Sequence, residues 1–141
     1  MKRNTFLTLL AFVFAFVSCK KDHPVIYPVE GLWIGTYTVD QNPNQSPLFY
    51  SFSVKPDGTI LTESKGGDGV SYYSEGTWTL TGDQFAFTIK TINVEPSPIK
   101  QSGKLTFHNS GKMTNGTWED IENPYTKTGN KGKFSTMNRV N

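Results

Sequence analysis

Three features of this sequence predict an all-β fold, an up-and-down antiparallel barrel of about eight strands. From Gly31 onward the apolar residues recur with period two rather than 3.6. Runs rich in β-branched and aromatic residues are separated by clusters of turn residues. No amphipathic helical stretch interrupts the series. Consecutive hairpin strands leave two raw sheet edges, and closing the sheet on itself removes both. A two-sheet β-sandwich is the structural alternative.

The expected strands are 31–40, 47–55, 59–64, 70–81, 84–94, 101–108, 112–119 and 132–140. In the second, Leu48, Tyr50, Phe52 and Val54 share one face while Ser51, Ser53 and Lys55 share the other, the alternation of a sheet with one buried side. Val70, Tyr72, Gly76, Trp78 and Leu80 repeat the pattern, followed by Phe85, Phe87 and Ile89, then Leu105 and Phe107. Lys55-Pro56-Asp57-Gly58, Thr81-Gly82-Asp83 and Asn109-Ser110-Gly111-Lys112 each place a glycine where a tight reversal needs positive φ. Gly31-Leu32-Trp33, Gly76-Thr77-Trp78 and Gly116-Thr117-Trp118 set a glycine and a tryptophan on the same face of three strands. In a narrow barrel a glycine leaves room for a large neighbour, so these are read first as core tryptophans.

Ahead of the strands the chain starts Met1-Lys2-Arg3, runs through a twelve-residue apolar stretch from Phe6 to Val17 broken only by Thr8, and reaches Ser18-Cys19. A basic start, a short apolar run and a small residue before the cut describe a secretory leader. The run is too short to span a bilayer as a helix, which takes about 20 residues. Phe16-Val17-Ser18-Cys19 resembles the lipobox of bacterial lipoproteins. The resemblance implies removal of residues 1–18, lipidation of Cys19 (palmitate or a similar acyl chain) and attachment to the cell envelope, with the outer membrane as the expected site. Residues 19–29, with Lys20-Lys21-Asp22 and two prolines, are read as the acylated cysteine and an extended tether. Residues 30–141 are read as the folded domain.

Gly31-Leu32-Trp33-Ile34-Gly35-Thr36-Tyr37 resembles the Gly-x-Trp opening of lipocalins and related calycin barrels. That family lays a basic residue of the last strand across the first-strand tryptophan, which here implies a structural pair between Trp33 and Arg139. The implied protein is a divergent lipocalin-like lipoprotein of the Gram-negative envelope. Barrels of this kind range from ligand carriers to proteins with filled interiors, so the resemblance does not decide the function.

Composition narrows the remaining possibilities. The chain carries 14 basic and 12 acidic residues, and the leader takes Lys2 and Arg3 with it. The balanced remainder lacks the basic footprint of a nucleic-acid binder. With His23 and His108 as the two histidines and Cys19 lipidated, no metal site, cofactor or catalytic constellation is expected, and the protein is read as non-catalytic. Glu119-Asp120-Ile121-Glu122 lacks calcium-loop spacing and is read as a solvated loop. If the barrel is hollow, Trp33, Tyr50, Phe52, Tyr72, Trp78, Phe85 and Phe87 would line a site for a small apolar or amphipathic ligand. If it is filled, the loops at 63–69 and 121–131, read as mobile, would meet an envelope protein or a glycan.

Overall fold

The computed structural model describes residues 26–140, so the leader, Cys19 and the first part of the tether lie outside the described residues. Among the described residues the chain forms β1 (Gly31–Val39), β2 (Leu48–Val54), β3 (Thr59–Lys65), β4 (Ser71–Thr81), β5 (Gln84–Thr91), β6 (Lys100–His108), β7 (Lys112–Glu122), β8 (Lys131–Phe134) and β9 (Met137–Val140). Each pairs antiparallel with its sequence neighbour from β1 to β8. β8 and β9 together occupy the last place, between β7 and β1. The sheet therefore closes as an eight-stranded up-and-down barrel, and the two-sheet alternative falls.

Two parity breaks shape the closing strands. In β7 both Met113 and Gly116 are buried, three residues apart, and Asn115 between them has φ of 53°. A left-handed residue in a strand is a bulge, and here it returns the next residues to the interior. Between β8 and β9 the same happens at Ser135-Thr136, so that Phe134 and Met137 both point inward. Ser135 is tied to β1 there: its N–H donates to the Thr36 carbonyl, and its Oγ accepts from the Thr36 N–H. The single strand expected over 132–140 is thus two short ones.

One end of the barrel is closed by tight turns at 55–58, 82–83 and 109–111. At the first of these, Gly58 has φ of 83° and Asp57 Oδ1 accepts from both the N–H and the hydroxyl of Thr59. The hydroxyl bond, more than any other cause, lowers the Asp57 pKa. The segment before β1 lies against the same end, although its composition suggested an extended tether throughout. Val29 is buried and accepts a 2.8 Å hydrogen bond from Trp33 Nε1 through its carbonyl. The Tyr27 N–H donates to the Asn109 carbonyl.

Arg139 is the register partner of Trp33, but its guanidinium stands 5.3 Å from the centre of the Tyr27 ring. Nη2 donates to the Glu30 carbonyl at 3.0 Å. The expected Trp33–Arg139 stack is therefore replaced by a Tyr27–Arg139 stack, while the Trp33 ring meets Phe107 edge-on at 5.9 Å. Gly31 makes this possible, since a Cβ there would lie 2.8 Å from Arg139 Nη2. The other two glycines of the Gly-x-Trp repeat also admit neighbours rather than their own tryptophans. A Cβ on Gly76 would strike the Thr88 carbonyl, and one on Gly116 would meet Phe134 and Leu105.

Candidate functional site

The seven residues expected to line a cavity face inward, and the structure brings six of them into the packed interior. Trp33, Phe52 and Phe85 are wholly buried, and Tyr50 and Phe87 nearly so. Trp78 is partly buried, stacked on Phe85 at 5.9 Å, with its Nε1 donating to the Lys55 carbonyl beside the first tight turn. Rings meet across the bore and not only along the wall. Phe52 on β2 lies 6.0 Å from Phe85 and 5.2 Å from Phe87, both on β5, and 5.5 Å from Phe134 on β8. Tyr50 reaches Phe134 at 4.9 Å. Strands that are not neighbours are thus joined by edge-to-face and tilted ring pairs, each worth about 0.5–1.5 kcal/mol beyond its area. Met113 and Met137, also wholly buried, belong to this core and were not singled out in the sequence.

Tyr72 stands apart, at the open end where longer loops span 40–47, 66–70, 92–99 and 123–130. Its hydroxyl donates to Asp68 Oδ2 at 3.1 Å, and burial followed by that carboxylate raises its pKa. Tyr37 lies deeper, edge-on to Tyr50 and Trp118, with its hydroxyl donating to the Lys65 carbonyl. Burial first, then Tyr72 and Asp68, push its phenol up to about 12. Tyr50 is pushed up further, by burial above all, against the opposing effect of a hydrogen bond with Thr62. Thr62, Ser74 and Thr91 are register neighbours on β3, β4 and β5 and are all buried. These three hydroxyls line the β3 to β5 side of the bore.

Two features at that end correct the sequence reading. Glu119-Asp120-Ile121-Glu122 is the end of β7 and not a loop. Asp120 is half-buried: Oδ1 accepts from Gln101 Nε2, and Oδ2 accepts from Asn123 Nδ2 and from the Asn130 N–H. This carboxylate is hydrogen-bonded to both ends of the loop at 123–130. The glycine-rich turn is also held, by Gly66 N–H to the Val70 carbonyl and Val70 N–H to Asp68 Oδ1.

A groove of about 610 Å³ lies on the outer wall, across β4 to β8. Its floor is made of short side chains that alternate with the inward rings: Thr77, Thr79, Ala86, Thr88, Ser102 and Thr117. Lys104, Lys131, Lys133, Glu119 and Asp40 stand at one side. Gly132 thins the wall here and lets the Trp118 indole reach over β8, where Nε1 donates to the Thr38 carbonyl at 3.1 Å. A Cβ on Gly132 would strike that same carbonyl. No signal in the sequence separated these outward residues from an ordinary solvated face.

No family model matches the chain, and no curated protein matches it. A solved structure described as "Structure of EF1p2_mFAP2b bound to DFHBI" is similar, with a TM-score of 0.59 and 17% identity, covering 79% of this chain and 93% of that one. The fold is a lipocalin-like barrel. At this identity the likeness concerns the fold alone.

Proposed function

We propose that this protein is a non-catalytic lipoprotein of the Gram-negative envelope, held to the outer membrane through Cys19, whose lipocalin-like barrel is a filled scaffold for contacts made from its surface. The observation that carries the filled-scaffold reading is the set of ring contacts across the bore, Phe52 to Phe85 and to Phe134 above all. A ring network of that kind occupies the volume a carrier would keep for its ligand. The anchoring reading is supported by the layout of residues 1–19.

The anchoring test is the mass of the mature chain and its partition into detergent. A chain that starts at an acylated Cys19, and that Cys19→Ser moves into the soluble fraction, agrees with the proposal. An unmodified chain cut elsewhere contradicts it. A second reading, a small amphipathic ligand seated at the mouth, is favoured by the hydroxyls of Thr62, Ser74 and Thr91 and by the similar barrel described as bound to DFHBI. A bound mass in native mass spectrometry that Ser74→Leu removes would support that reading over the first.

A further inference from the structure

The outer groove differs from the rest of the wall in shape and in charge. Its floor offers five hydroxyls and one methyl and no long side chain, so an extended ligand can lie against the strands and exchange hydrogen bonds with them. Its charged side is not balanced. Lys131 is the register partner of Glu119, and its carbonyl accepts from the Asp40 N–H, which sets that lysine beside two acidic residues. Lys104 and Lys133 flank Thr117 as its register partners on β6 and β8. They stand two strand spacings apart, about 10 Å. Among the described residues the ion pair is Lys100–Glu122, so neither Lys104 nor Lys133 is engaged in one.

We propose that this groove binds an acidic oligosaccharide, with Lys104 and Lys133 meeting its carboxylates and the hydroxyls of Thr88, Ser102 and Thr117 meeting its ring hydroxyls. A lone phosphate would use the lysines and leave the hydroxyl floor idle, and an apolar ligand would leave both the lysines and the hydroxyls unused. A linear sugar acid supplies both halves of the chemistry. The assignment rests on the reading of the barrel as a filled scaffold with its contacts outside, and it names the glycan that reading allows.

The test is calorimetric titration of the full chain, kept in a non-ionic detergent, with oligogalacturonate at low ionic strength. Saturable binding is expected, weakened about tenfold or more by Lys104→Glu with Lys133→Glu, and falling as salt is raised. Lys90→Glu, on the outer wall beyond the groove, should leave it within about twofold. Thr88→Val with Ser102→Ala should weaken it several-fold without altering charge. All these positions face outward, and an unchanged thermal midpoint verifies folding. Absence of saturable binding overturns the proposal, and so does equal loss with Lys90→Glu. Inorganic polyphosphate binding as tightly, with no effect of Thr88→Val and Ser102→Ala, overturns the saccharide assignment. The readout needs no lipid anchor, and the filled interior is measured separately by core substitution, so either reading can fail without the other.

Discussion

The two ends of the barrel are built on opposite principles. At the closed end, short turns bring the strands together over Trp33, Met113 and Met137, all wholly buried, and Arg139 clamps the incoming chain through Glu30 and Tyr27. At the open end the loops are longer, and what holds them is polar: Asp120 under the 123–130 loop, Asn93 bridging Tyr73 and Ser71, and Asp68 inside the glycine-rich turn. Packing holds one end and polar contacts hold the other. The lesson is that in a barrel of this size the rings in the middle decide which end can do anything, because they separate the two.

The comparison can be broken most severely at those central rings. Phe52→Ala should cost about 3–5 kcal/mol in urea denaturation, the range for deleting a large buried ring. A loss below about 1 kcal/mol would mean that the bore is loosely occupied. At the closed end, Arg139→Ala removes the bond to the Glu30 carbonyl and the stack on Tyr27, and should cost about 2 kcal/mol by the same measurement. An equal stability would show that the incoming chain is not clamped.

Alkaline titration sharpens the boundary between the two ends. Tyr37 and Tyr50 have phenols raised above their ordinary value of 10.0, chiefly by burial. The unfolded chain ionises first as pH rises, so the folded state loses stability from about pH 10 and continues to lose it through about pH 12. Tyr50→Phe should flatten that decline, measured as the unfolding midpoint against pH, and an unaltered slope would place the Tyr50 phenol in water. The smallest effect belongs to the open end. Inserting Gly-Ser after Gly67 should change stability by less than about 0.6 kcal/mol, and a larger loss would make the 66–70 turn part of the core.

Much of this architecture is legible because alternation is a local property. Tyr50, Phe52 and Val54 announce an inward face within a few residues, and Gly58 and Gly82 announce the reversals that flank it. What escaped the reading sits where alternation fails. Met113 and Met137 are core residues that period-two counting assigns to no face, since the bulge at Asn115 and the break at Ser135-Thr136 each shift the parity. The partner of Arg139 escaped for another reason. Tyr27 precedes the first strand, and nothing local indicates that the chain folds back across the barrel end. Asp120 lay hidden in an acidic run that is ordinary by composition and becomes specific only when Gln101, Asn123 and Asn130 converge on it. The groove is legible in no single strand, because its floor is assembled from the outward positions of four.

The central claim, that rings fill the bore, is tested most directly by crystals of the protein pressurised with xenon, which enters dry apolar cavities and is seen at once in the density. The account predicts no xenon inside the native barrel and one site in Phe52→Ala, bounded by Tyr50, Phe85, Phe87 and Phe134. Xenon among those rings in the native protein would contradict it and return the barrel to the class of carriers.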